Sequence, residues 1–138
     1  MKITKRAISI LLALMLFSGS LVALAERAST HIASYGISTT ALGSGVIRVK
    51  ADIDGTHPRM TKIGFPAITL YEWSGSAWVP VKSEIAKYNP NATAGSHTHT
   101  FTYQGVAGRH YYSAASFYAQ DTSGSDSRNA NSPSVQAT

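Results

Sequence analysis

The chain has 138 residues, 43% of them apolar and 14% charged, and it contains no cysteine. That profile excludes a disordered chain, which needs low hydropathy with high net charge, and it excludes disulfides, thiolate zinc sites and cysteine nucleophiles. The formal charge of +5 includes Lys2, Lys5 and Arg6; about +2 is left for the rest of the chain, too little to argue for nucleic acid or an anionic membrane as partner.

Lys2, Lys5 and Arg6 precede an apolar run from Ala7 to Phe17 that only Ser9 interrupts. Ser18-Gly19-Ser20 then disfavours helix, and Ala23-Leu24-Ala25 offers small residues at the −3 and −1 positions of a signal-peptidase site. Residues 1–25 are therefore predicted to be a secretory leader cleaved after Ala25, and residues 26–138 a single domain released outside the cell. A span would want about 20 apolar residues, and no cysteine follows the run to carry a lipid. No membrane contact is expected after cleavage. A secreted domain without cysteine must hold together by core burial and sheet pairing alone.

Beyond the leader, turn residues recur every 8–12 positions or so, and Val, Ile, Thr, Tyr, Phe and Trp dominate between them. The predicted class is all-β: an immunoglobulin-like sandwich of about seven antiparallel strands. The first strand is placed at Ala33–Leu42 and the second at Gly45–Ile53, joined through Gly43-Ser44-Gly45. The second alternates cleanly, with Ile47, Val49, Ala51 and Ile53 on one face and Arg48, Lys50 and Asp52 on the other, so its sheet is wet on one side. Asp54-Gly55 closes it as a turn. Asp52-x-Asp54 reads as turn capping, since calcium wants six or more oxygens.

Thr61–Trp73 follows, broken at Gly64-Phe65-Pro66, because proline lacks the N–H that a central ladder uses; two short pieces or an edge are expected. Ala67–Trp73 pairs with Ala77–Ser83 through Ser74-Gly75-Ser76. An even loop places Thr69, Tyr71, Trp73, Trp78 and Pro80 on one face and Ile68, Leu70, Val79 and Val81 on the other, and the aliphatic face is expected to be core; an odd loop would break that segregation. Glu84–Gly95 reads as a long crossover, and its Asn91-Ala92-Thr93 sequon agrees with a loop. Ser96–Tyr103 alternates His97, His99, Phe101 and Tyr103 against Thr98, Thr100 and Thr102. His110–Gln120 is the most aromatic strand, and the last strand lies near Asp126–Ser134.

Phe101-Thr102-Tyr103-Gln104-Gly105-Val106-Ala107-Gly108-Arg109-His110-Tyr111-Tyr112, then Ala119 and Gly124, resembles the carboxy-terminal half of fibronectin type III and related immunoglobulin-like domains. In those domains an apolar residue and a glycine precede a tyrosine that locks a corner. About two extra residues between Tyr112 and Ala119 imply a bulge, and the early tryptophan of such domains is missing. The whole layout resembles small secreted proteins of Gram-positive bacteria that carry Tyr-Glu-x-Ser-Gly-Ser-x-Trp, here Tyr71 to Trp78. Their Gly-x-x-Tyr-Tyr, Phe-Tyr-Ala and Ser-Gly-Ser-Asp runs match Gly108 to Tyr112, Phe117 to Ala119 and Ser123 to Asp126. That resemblance implies a fold and a bacterial, extracellular location; it brings no catalytic residues.

Three constellations bear on function. Tyr71, Trp73 and Trp78 form an aromatic strip if they face outward, and flat aromatic strips bind sugar rings or partner proteins; the competing assignment is that the indoles cap the core. Tyr112 and Tyr118 would form a second strip if Ala115, Phe117 and Ala119 point inward. His97 and His99, two apart on a strand, share a face and offer two imidazoles to zinc or copper, with His110 across the next turn as a third ligand; the alternative is a neutral pair on a solvated face. A Ser/His/Asp set can be drawn from any of five histidines, so the sequence singles out none, and no Gly-x-Ser-x-Gly elbow is present. The chain reads as a secreted, non-catalytic binding or interaction module without cofactor, its partner a cell-surface glycan or a protein. A small secreted toxin and a metal-dependent activity at His97 and His99 are the alternatives.

Overall fold

Strict alternation of apolar and polar residues should bury one face of each strand, and the computed structural model, which describes residues 29–138, shows that pattern. The leader predicted over residues 1–25 lies outside the described residues. Eight strands run in chain order: β1 (Ile32–Gly43), β2 (Val46–Gly55), β3 (Lys62–Trp73), β4 (Trp78–Tyr88), β5 (Ser96–Gln104), β6 (His110–Asp121), β7 (Gly124–Asn131) and the short β8 (Val135–Gln136). All pairings are antiparallel. One sheet has the order β1-β2-β5 and the other β4-β3-β6-β7, with β8 also on β6. No helix occurs among the described residues. The class is thus the expected antiparallel sandwich, with one short strand more than the sequence predicts.

The core lies between the sheets. Ile47, Val49, Ala51 and Ile53 come from β2; Ile63, Phe65, Ile68 and Leu70 from β3; Tyr111, Phe117 and Ala119 from β6. Each is essentially inaccessible, whereas Arg48 and Lys50 are exposed. Met60, in the connection from β2 to β3, is equally buried and plugs one end.

Pro66 does not split its strand. β3 runs unbroken through it and is central, flanked by β4 and β6. Gly64 pairs with Tyr118 and Ile68 with Ala115, so β3 carries one extra residue there. A bulge leaves a ladder position unpaired, and that is where a residue without an N–H fits in a central strand. The same extra residue resets the alternation, so Phe65 and Ile68, three apart, both face the core. The bulge inferred between Tyr112 and Ala119 is not found in β6, which pairs with β7 without a register shift; the irregularity lies in β3.

The crossover expected over Glu84–Gly95 is also shorter than predicted. β4 continues to Tyr88, and only residues 89–95 cross to the other sheet. Ala86, at φ 52°, stands opposite Pro66 in a stretch where β3 and β4 keep their register.

The chain turns into β6 at Tyr111. Tyr111 is fully buried; its hydroxyl accepts from the Val106 N–H at 2.9 Å and donates to Glu72 Oε2 at 2.6 Å. A side chain on Gly105 would meet the Tyr111 oxygen at 2.7 Å, so only glycine lets the chain pass so close.

A buried hydroxyl cluster ties the sheets together. Thr39 Oγ1 of β1 lies 2.6 Å from Ser113 Oγ of β6 and 2.7 Å from Ser132 Oγ, and the Ser113 N–H donates to Ser132 Oγ at 2.9 Å. Thr39→Val is expected to cost about 1 kcal/mol in urea unfolding, the low end for a broken buried bond, because the two serines keep each other at 3.2 Å.

Candidate functional site

The β3–β4 hairpin sets Trp73 directly opposite Trp78 across residues 74–77, an even loop. The turn holds itself: the Ser74 N–H donates to Ala77 O at 2.9 Å, and the Ala77 N–H donates to Ser74 Oγ at 3.1 Å. Gly75 at φ 98° supplies the left-handed residue the turn needs. Tyr71 pairs with Pro80 and falls on the same face as the indoles, as even parity requires.

That face is the outer one. Leu70 and Tyr111 point into the core; Tyr71 and Tyr112, their chain neighbours, stack on the other side with centroids 4.9 Å apart and planes 9° apart. Trp78 meets Tyr112 edge-on at 4.7 Å, and Trp73 lies 5.3 Å from Trp78. Both indoles are 37% exposed and neither belongs to the core. The rings do not cap the sandwich. Ala115, Phe117 and Ala119 point inward as expected, but Tyr112 and Tyr118 do not form a strip of their own. Tyr112 joins the first cluster, while Tyr118 meets Tyr88 at 6.3 Å beneath the Lys62 ammonium.

Val79 departs from its predicted place in the core. It opposes Glu72 on the inner side but is 44% exposed, and Val81 is half-buried. The facing sheet is narrower, so edge strand β4 is left partly uncovered. Leu70 pairs with Lys82 and Tyr71 with Pro80, so Val81 is the extra residue of a bulge.

Trp73, Trp78, His110 and Ser134 line a depression of about 300 Å³ beside the rings. His110 opens β6, where it pairs with Gln136 of β8; it alternates with buried Tyr111 and so shares the outer face with Tyr112. Thr69 pairs with Ser83 on one side and Ala114 on the other, and Ala114 with Asn131, so an uncharged row continues the face beyond the rings. Sequence reading missed the two polar lining residues, since nothing local ties His110 or Ser134 to Trp73.

The histidine pair faces the other way. His97 pairs with Ile53 and His99 with Ala51, both core residues, and Thr98, Thr100 and Thr102 take the solvated face. The expected solvated pair is thus an inward one, which the shared parity with Phe101 and Tyr103 already encodes. The His97 ring lies 5.6 Å from the Phe65 ring; burial, then the charge of His99, push its pKa below the ordinary histidine value. His99 Nε2 lies 3.9 Å from Glu84 Oε1. His110 stands on the opposite sheet and does not join them as a third ligand. Among the described residues no group of three or more His, Asp or Glu is placed to hold a metal ion. Asp52 and Asp54 instead accept cross-strand bonds from Thr98 Oγ1 and Ser34 Oγ, both at 2.7 Å.

One histidine that the sequence did not single out does meet two acids. His31 is buried, with Nδ1 3.1 Å from Asp126 Oδ2 and Nε2 3.2 Å from both Asp121 Oδ1 and Ser123 Oγ. Ser123, His31 and Asp126 thus touch in the order of a hydrolytic triad. The hydroxyl, however, donates to Asp121 Oδ1 at 2.6 Å, and the Ser123 and Gly124 N–H groups donate to the same oxygen at 2.7 and 3.2 Å. Donors that would receive an oxyanion are already filled by a carboxylate. The cluster clamps the start of β1 to the β6–β7 turn.

The clamp predicts an acid limb. The Ser29 hydroxyl and the His31 backbone N–H, against the opposing effect of burial, and then the His31 ring hold Asp126 at about 2, below its ordinary 3.8. A carboxyl depressed on folding adds stability that is complete above pH 3.8 and lost as pH falls through 2. Asp126→Asn should remove that contribution, on the order of 1 kcal/mol after solvent screening. Urea unfolding of both proteins at pH 2 and pH 6 checks it: the gap present at pH 6 should shrink to a small fraction at pH 2.

Compared with known protein families the chain matches none, and compared with curated proteins it also matches none.

Proposed function

We propose that this protein is a secreted, non-catalytic binding module that meets its target with the outer face built on Tyr71, Trp73 and Trp78. The observation that carries the reading is the convergence of these three rings, joined by Tyr112, on one accessible sheet surface. Large rings held by cross-strand stacking lose little conformational freedom on binding, which suits them to contact surfaces. An immunoglobulin-like affinity is supported by the Tyr111 corner, where a tyrosine near the start of a strand bonds back to backbone five residues upstream. The leader-like residues 1–25 support export; amino-terminal sequencing of the exported protein should begin at Glu26.

The chain's two tryptophans both lie on the proposed face, so tryptophan emission reports on that face. Binding to purified cell-wall material should be weakened on the order of 30-fold by Trp73→Ala with Trp78→Ala, the effect of losing a contact hot spot. Unchanged binding by the folded double variant would remove this face as the contact.

A further inference from the structure

We infer that the ligand is an uncharged glycan, one hexopyranose ring of which sits in the depression formed by Trp73, Trp78, His110 and Ser134. The inference rests on the binding reading above and names the chemistry of its target.

Size argues first. At 37% exposure each, the two indoles together present on the order of 200 Å². A stable protein partner covers about 800 Å² on each side, several times what the two indoles present, whereas a sugar ring matches their area. A volume of about 300 Å³ stands at the lower end of the range that small ligands occupy, and one or two sugar rings fill such a space.

Chemistry argues second. A pyranose ring is amphipathic: its C–H face packs on flat aromatic surface while its equatorial hydroxyls need hydrogen-bonding groups at the side. The indoles supply the first, and the His110 imidazole and Ser134 hydroxyl supply the second.

Charge argues third. Among the described residues, no Asp, Glu, Lys or Arg lines the depression. The nearby Arg109 guanidinium is held by Glu72 at 2.6 Å, and the face continues through Thr69, Ser83, Ala114 and Asn131 without charge. A uronic acid or phosphate would lose hydration there, and the Arg109 cation that could answer it is already paired with Glu72. Hydroxyls lose little.

Tryptophan emission of the full secreted protein, titrated with a hexamer of β-linked glucose or N-acetylglucosamine, should change saturably. A galacturonic acid hexamer should bind at least tenfold more weakly. His110→Ala and Ser134→Ala should each weaken the uncharged hexamer about 3- to 10-fold, the effect of one neutral hydrogen bond. Binding to cell-wall material should survive protease digestion of the wall and be competed away by the same uncharged hexamer. Acidic oligomers that bind as well, no change with any uncharged hexamer at millimolar concentration, or wall binding lost to protease would each overturn the inference. If wall binding still depends on Trp73 and Trp78 in that event, the contact face stands and only the ligand class falls; if the double Trp variant binds like wild type, both fall.

Discussion

Phe117→Ala is expected to destabilise the protein by about 3–5 kcal/mol, the range for truncating a fully buried aromatic ring. Phe117 has no accessible surface. Its ring lies 5.0 Å from Tyr35 and meets Phe65 edge-on at 5.6 Å, so it bridges β6 to β1 and β3. The walls of the resulting cavity sit on paired strands in two sheets, which resist collapse, and the expected cost therefore lies toward the top of the range. Stability of a domain this size is about 5–15 kcal/mol, so the variant gives up a third or more. Urea denaturation should show a lower midpoint with an unchanged slope; a shift under 1 kcal/mol would mean that the core is not organised around this ring.

Tyr111→Phe is expected to cost about 1.5–3 kcal/mol, the range for a hydrogen bond to a charged group. Removing one oxygen breaks two bonds at once. Glu72 Oε2 loses its donor and the Val106 N–H loses its acceptor. Glu72 is the more expensive loss, because it is mostly shielded and, among the described residues, keeps Arg109 alone as partner. Burial, then the Glu72 carboxylate, raise the Tyr111 phenol above its ordinary value, so it stays protonated and able to donate. The Tyr111 bond is in turn the main influence holding Glu72 below 4.5, opposed by burial and aided by Arg109. Stability from Glu72 is therefore complete above pH 4.5 and is lost as pH falls through its lower folded pKa. Comparing wild type with Tyr111→Phe from pH 7 down to pH 3 should show the gap narrowing. A gap independent of pH would separate the corner from the carboxylate.

Much of this molecule is local. In β2 the alternation of Ile47, Val49, Ala51 and Ile53 with Arg48, Lys50 and Asp52 assigns both faces before any partner is known, since the side-chain period of a strand is two. The same rule and an even loop bring Tyr71, Trp73 and Trp78 to one face. Glycine and small turn residues mark the hairpins.

Other features depend on what lies across the sandwich. Pro66 reads as a break because its missing N–H is visible in sequence, whereas the bulge that accommodates it is visible only against β6. Val79 carries the residue type of a core position, but the narrower facing sheet leaves its edge strand partly open. His97 and His99 have the spacing of metal ligands, and their inward direction follows from pairing with Ile53 and Ala51.

By itself, the sequence determined the class, the hairpins and which side chains share a face, because strand periodicity and turn chemistry act over a few residues. Only the tertiary structure decided how far each edge strand is covered, that His110 and Ser134 stand beside the two tryptophans, and that His31 is clamped between Asp121 and Asp126. Those groups are far apart along the chain, and it is the pairing of β6 with β7 and β8 and the packing of two sheets of unequal width that bring them together.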